Sequence, residues 1–287
     1  MSAGDAARCV LVTGASSGLG FRLSGHLAAR GWRVFAGVRR AEDETRVRAL
    51  HPAGILPVRL DVTDPGSVAE AARFIEAGCD GRGLDALVNN AGIAVAGPVE
   101  GVPLEDWRRQ FEVNVLGVVA VTQAVLPLVR RARGRIVMIS SVSGLLSYPL
   151  LGPYAASKHA LEALSDSLRL ELAREAIAVV LVEPGEAATA IWEKSAGEAE
   201  RRMNAWPASL RDRYAARVGL LVRGARRTAA TAPDGGPVCE AVERALRSPR
   251  PPARILAGRG ARMGWLLSRL PDRWLDRLVL RALGREE

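Results

Sequence analysis

The stretch LVTGASSGLGF, residues 11–21, follows a short apolar run and leads into a helical pattern. Gly14, Gly18 and Gly20 let the backbone turn tightly and approach a ligand closely. The N–H groups and the positive end of the following helix then favour a pyrophosphate, with Ser16, Ser17 and Leu19 completing the loop. The spacing is GxxxGxG, neither GxGxxG nor the GK[ST] of a P-loop, and a plain strand-to-helix turn would need only one glycine. Around this stretch the chain alternates. CVLVTG, WRVFAGV, GILPVRL, LDALVNN, GRIVMIS and IAVVLVEP are apolar runs ending in turn chemistry, and ARILAG near the C-terminus makes a seventh. Between the first six lie helical patterns at 19–30, 65–77, 107–131 and 153–174. Strands apolar throughout and separated by helices imply a parallel sheet covered on both faces. Asp64 with Pro65 marks one helix start.

With 287 residues, 48% of them hydrophobic, the chain can bury a sizeable core. No basic region followed by a long apolar one opens it, and its longest apolar runs are interrupted, so neither a signal peptide nor a spanning helix is expected. Cys9, Cys79 and Cys239 lack CxxC spacing; they suit buried thiols in a reducing cytoplasm and suggest no metal site. The net charge of +9 is uneven, because residues 201–287 hold 19 arginines against 8 acidic residues. Zinc spacing and RNA-binding aromatics are missing there, so nucleic acid is not the expected partner. An anionic membrane surface or an acidic partner fits better.

In GPYAASKHALEALSDSL, residues 152–168, Tyr154 and Lys158 stand four apart on one helix face. Lys158 is one of only two lysines among 40 basic residues. Lowering a tyrosine pKa by about three units takes roughly 4 kcal/mol. A cation at about 4 Å in an effective dielectric of about 20 supplies a similar amount. The spacing therefore predicts a phenol activated by its neighbour.

Together TGASSGLG (13–20), Asp61-Val62, NNAG (89–92), Asn114, Ser141, YAASK (154–158) and Pro184-Gly185 resemble the short-chain dehydrogenases/reductases, over about residues 8–190. The resemblance implies a single doubly wound α/β domain, a Rossmann-type parallel sheet of about seven strands with helices on both faces. It implies a cofactor and catalytic core at 8–190, substrate-covering helices and a last strand at 191–260, and amphipathic C-terminal helices at 261–287. It gives Tyr154 the acid/base role, and Lys158 the tuning of Tyr154 and the binding of the nicotinamide ribose. Ser141 would hold the substrate oxygen, with Ser140 and Ser143 as rivals. At Asn114 it implies a kink whose carbonyl orders a relay water, where a mid-helix asparagine alone reads as a solvent-facing or back-bonded amide. Asn90, Ala91 and Gly92 would pass the adenosine ribose. Asp61 and Val62 would contact adenine, or Asp61 would form an Asx turn. Pro184, Gly185 and Thr189 would hold the carboxamide.

Val38 stands where an acid would favour NAD, and Arg39 and Arg40 follow it, so NADP is the expected cofactor, with NAD still open. The alternative is that both arginines begin a solvated loop, RRAEDETR. Ile191, Trp192, Met203 and Trp206, in the expected substrate-covering loop 188–210, suit a hydrophobic alcohol or carbonyl of steroid, retinoid or lipid type, or act as packing anchors. Residues 263–284 read as two amphipathic helices split at Pro271. They dock on the chain's own core or a partner, or lie on a membrane. The whole predicts an NADP-dependent oxidoreductase, cytoplasmic or also membrane-associated, that is a homodimer or homotetramer. A non-catalytic NAD(P)-binding sensor or scaffold on the same fold is the alternative, and nucleotide-sugar isomerase or dehydratase chemistry ranks third.

Overall fold

A computed structural model describes residues 7–185, 190–231 and 235–284. In chain order the elements are β1 (Cys9–Val12), α1 (Gly18–Ala28), β2 (Arg33–Val38), α2 (Ala41–Arg48), β3 (Ile55–Arg59), α3 (Pro65–Gly78), β4 (Ala86–Asn89) and α4 (Leu104–Phe111). A π-helical turn (Glu112–Leu116) joins α4 to α5 (Gly117–Ala132), followed by β5 (Arg135–Ile139), α6 (Gly152–Glu171) and β6 (Ala178–Pro184). The remainder is α7 (Ala190–Asn204), α8 (Ala208–Thr231), α9 (Gly236–Arg247), β7 (Arg254–Ala257), α10 (Ala261–Leu267) and α11 (Asp272–Gly284).

All strand pairs are parallel, in the order β3-β2-β1-β4-β5-β6-β7. The period of two is visible within β1, although all four of its residues are buried. Val10 and Val12 join the core layer that holds Leu23 and Leu27 of α1 and Val238 and Val242 of α9. Cys9 and Leu11 face the opposite layer, with Val121 and Val125 of α5 and Leu161 of α6. Thus the continuous apolar strands follow from a sheet covered on both sides. The segment 104–132 is long and apolar enough to cross a membrane by length and composition, but here the inner face of α5 lies in this core. All three cysteines are buried, and none forms a disulfide among the described residues.

Two local readings change. The alternative that Arg39 and Arg40 begin a solvated loop, RRAEDETR, gives way to α2 at 41–48, with Glu42, Asp43 and Glu44 in its first turn and Arg46 and Arg48 in its last, charges that complement the helix dipole. Residues 190–204, expected within a covering loop, form α7. Its buried Ala196 and Ala199, with Trp192 and Met203, pack on Val218 and Val222 of α8 in a third cluster. Elsewhere the helix signals hold: the Asp64 side chain accepts a 2.9 Å hydrogen bond from the Gly66 N–H, with Pro65 in the first turn of α3.

Candidate active site

The strand order reverses between β1 and β4, which opens a crevice at the carboxyl ends of the strands. A cavity of about 830 Å³ lies there, lined from the glycine loop through Asn90–Gly92 to Tyr154, Lys158 and Trp192. Thr13, the first residue of the TGASSGLG stretch, fastens its rim. The Thr13 hydroxyl accepts from the Asn90 and Ala91 N–H groups at 2.9 Å each, and the Asn90 amide donates to the Thr13 carbonyl at 2.8 Å.

The lining fits the dinucleotide that the resemblance implies. Gly14 has φ +66°, and a Cβ there would stand 2.8 Å from the Ala91 Cα. Backbone therefore meets backbone with no side chain to fill the cradle. Ser17 makes no side-chain cap on α1, whose first turn carries no acid, so the helix N–H groups are left for an anionic ligand. Ser16, Ser17, Gly18, Leu19 and Gly20 all line this part of the cavity.

At the other end Ser141, Tyr154 and Lys158 converge, all buried. Ser141 leaves β5 and accepts from the Ser143 N–H at 3.1 Å, while its rival Ser140 is taken up by Glu162 at 2.5 Å. Of the three serines, Ser141 is the one whose hydroxyl acts on the phenol. The Lys158 Nζ lies 5.8 Å from the Tyr154 ring centroid and donates to the Ile139 carbonyl at 2.7 Å.

The charge argument from spacing is reversed here. Burial pushes the Tyr154 phenol up to about 12, against the pull of the Ser141 hydroxyl. Burial likewise brings the Lys158 ammonium down to about 8, with Glu162 opposing it. Desolvation disfavours the charged form of both groups more than their neighbours restore it. The tyrosine therefore holds its proton at neutral pH.

Asn114 is buried at the centre of the π-helical turn, a helix irregularity where the resemblance places a kink. Its amide is committed: Oδ1 accepts from the Ile93 N–H at 2.9 Å, and Nδ2 donates to the Ile93 carbonyl at 3.0 Å and the Ser157 hydroxyl at 3.1 Å. The solvent-facing reading of this residue falls with that burial. Gln110, an unsignalled residue, repeats the device on Val95 and Ile93.

Val38 ends β2 as a buried residue and Arg39 lines the cavity. Arg40 is not brought there; at the start of α2 its side chain turns out to Glu42, 3.2 Å away. Asp61 and Val62 line the wall, and the Asp61 carboxylate also accepts from the Thr63 N–H and hydroxyl at 3.0 and 2.7 Å, so the Asx-type turn is formed as well. Pro184 and Gly185 line the wall, whereas Thr189 lies outside the described residues. Of the four apolar residues in the covering segment, Ile191 and Trp192 line the cavity, with the Trp192 ring edge-to-face on Tyr154 at 5.2 Å. Met203 and Trp206 are packing anchors in the α7–α8 cluster.

A family model described as short chain dehydrogenase matches residues 8–200. The chain is 41% identical over 193 residues to the NADPH-dependent 3-dehydrocapnine reductase of Ornithobacterium rhinotracheale, covering 66% of this chain and 68% of that one. It is 34% identical over 282 residues to the 17-beta-hydroxysteroid dehydrogenase type 6 of Bos taurus, covering 95% and 88%. Among solved structures, that of a short chain dehydrogenase from Burkholderia cenocepacia J2315 in complex with NADP superposes with a TM-score of 0.72 at 26% identity, covering 96% and 98%.

Proposed function

We propose, because this chain belongs to the short-chain dehydrogenase/reductase family, that it is an NADP-dependent oxidoreductase interconverting a hydrophobic alcohol and its ketone or aldehyde. The observation that carries this reading is one cavity lined at one end by Ser141, Tyr154 and Lys158 and at the other by the glycine cradle and Arg39. The glycine loop and the start of α1 would hold the pyrophosphate, Arg39 the 2′-phosphate, and Lys158 the nicotinamide ribose. When bound, the nicotinamide supplies or accepts a hydride. Ser141 and Tyr154 hydrogen-bond the substrate oxygen between them. Tyr154, protonated at rest, gives its proton to the oxygen as negative charge develops there, and Lys158 offsets the charge left on the phenol. Ile191 and Trp192 present an apolar wall to the substrate carbon skeleton and keep water from the phenol. A steroid, retinoid or lipid skeleton suits that wall, and relatives of 41% and 34% identity carry the names of an NADPH-dependent reductase and a hydroxysteroid dehydrogenase.

The test is a fluorescence titration with NADPH and NADH, followed by a panel of hydrophobic ketones and alcohols monitored at the nicotinamide absorbance. NADPH is expected to bind more tightly, and Arg39→Glu to weaken it by about 10- to 100-fold while sparing NADH, since a charge-assisted bond is worth about 1.5–3 kcal/mol. Equal loss for both dinucleotides would remove Arg39 from the phosphate. NADPH binding with no turnover across the panel would favour a sensor.

The same reading includes a homodimer or homotetramer paired through α5 and α6, near which Leu104, Leu116 and Leu170 stay exposed. It also includes contact with an anionic membrane through α10 and α11. Trp274 and Leu280 of α11 are 63% and 62% exposed, and Met263 and Leu266 of α10 are exposed too. Arg273, Arg277 and Arg281 make no ion pair among the described residues. An amphipathic helix with an uncovered apolar side and unpaired arginines matches a surface of anionic lipid headgroups over acyl chains. In liposome flotation the full chain is expected to rise with vesicles containing phosphatidylserine. A chain truncated after residue 260 is expected to remain at the bottom, and flotation unaffected by truncation would refute the contact.

A further inference from the structure

Behind the catalytic residues lies a second group of charges. Glu162 follows Lys158 by one helical turn on α6 and is 7% exposed. Its Oε1 accepts the Ser140 hydroxyl at 2.5 Å, directly before Ser141 in the chain. Its Oε2 accepts from Arg254 Nε at 3.2 Å, and Arg254, on β7, also binds Asp166 at 2.7 Å. Glu183 on β6 is fully buried, 3.3 Å from the same guanidinium, and neither of its oxygens has a hydrogen-bond partner. Asp166 continues outward to Arg169 at 3.0 Å. Among the described residues, the side-chain hydrogen bonds from α4 and the π turn to α6 are those of the Gln110 and Asn114 amides, at Ser157.

Three carboxyl groups thus share one arginine, and one of them, Glu162, stands a helical turn from the buried Lys158. Burial raises Glu183 to about 7, so it carries a proton through much of the neutral range. Glu162 joins this group to the end of β5 through Ser140, beside the carbonyl of Ile139 that receives Lys158.

We propose that Glu162 is a positioning residue that acts through Lys158 and Ser140, keeping the ammonium charged beside Tyr154 and fixing the strand end from which Ser141 projects. The proposal rests on the reading of Lys158 as the cation of the active site. Arg254, itself bound by Asp166, holds Glu162 in place.

The chain has only two lysines, Lys158 and Lys194, so their titration can be read directly. NMR of protein carrying 13C-labelled lysine follows both ε-carbons against pH, and Lys194→Arg assigns them. Glu162→Gln keeps the shape and removes the charge, and the Lys158 midpoint is expected to fall by about one unit, the size of a nearby lost charge in a partly screened site. Glu162→Asp, which restores the charge, is expected to return most of that shift, which a purely structural role would not produce. A Lys158 midpoint in Glu162→Gln that coincides with the parent's overturns the proposal. Should Glu162→Gln not fold, the half-exposed Asp166→Asn decides: a smaller fall supports the proposal and no movement overturns it. The readout needs no turnover. A shifted midpoint in a protein that reduces no carbonyl would sink the enzymatic reading and leave the Glu162–Lys158 link standing.

Discussion

Replacing Tyr154 with phenylalanine is expected to lower kcat by about 10²- to 10⁴-fold, the contribution of a positioned general acid, while NADPH affinity stays within about twofold. The ring keeps its edge-to-face contact with Trp192, and Ser141 keeps its bond from the Ser143 N–H, so the wall of the cavity survives. Only the proton donor is lost. The parent should show a rate of carbonyl reduction that is flat through neutral pH and falls as Lys158, lowered to about 8 by burial, gives up its charge. The sign follows from the roles: reduction needs the phenol protonated and the ammonium charged, and both conditions fail on the alkaline side. Steady-state kinetics from pH 6 to pH 10 on parent and variant check this. A variant with parental kcat would take Tyr154 out of the chemistry.

Gly14→Ala is expected to weaken NADPH binding by about a hundredfold, about 2.7 kcal/mol. At φ +66° any residue with a Cβ is strained by about 1–2 kcal/mol. The new methyl would in addition stand 2.8 Å from the Ala91 Cα, which is backbone and cannot turn aside. Relief requires the loop after β1 or the loop after β4 to shift, and both line the cofactor end of the cavity. Gly31→Ala separates the two causes, because Gly31 has φ +83° with nothing within 4 Å of a Cβ. It should cost stability through strain alone and leave NADPH binding as it was. Calorimetric titration beside thermal melting distinguishes the variants, and equal binding losses in both would show that the Ala91 contact is immaterial.

The parts of the molecule that could be read in the sequence are those in which local pattern and global fold agree. Fully buried strands write themselves as valine and leucine runs, and Asp64-Pro65 announces a helix start that the hydrogen bond to Gly66 then forms. The close backbone approach at the glycine loop and the shared helix face of Tyr154 and Lys158 were legible because they fix residue type and spacing, whereas Ser141 was singled out by the family resemblance. Helices α2 and α7 were not, since their polar composition resembles a loop until dipole pairing or a third cluster gives them a reason to form. Burial was illegible in the same way. Nothing in YAASK says that both ionisable groups are enclosed, so the spacing pointed to a lowered phenol where desolvation raises it. Thr13, Gln110 and Glu162 act through partners 15 to about 80 residues away, and no local signal marks those contacts.

The place of Arg254 on β7 has a consequence for the order in which the chain folds as it is made. The face of the sheet that receives Glu162 and Glu183 is assembled from residues synthesised well before residue 254. At about 5–20 residues per second, several seconds of translation separate those carboxylates from their guanidinium. During that interval the nascent sheet has acid on its inner face and an open edge at β6. The two problems have one remedy, because β7 pairs with β6 and delivers Arg254 in the same step. Pairing of the last strand with β6 and arrival of the guanidinium beside Glu162 and Glu183 are therefore one structural step, which ties completion of the catalytic half of the molecule to its C-terminal strand.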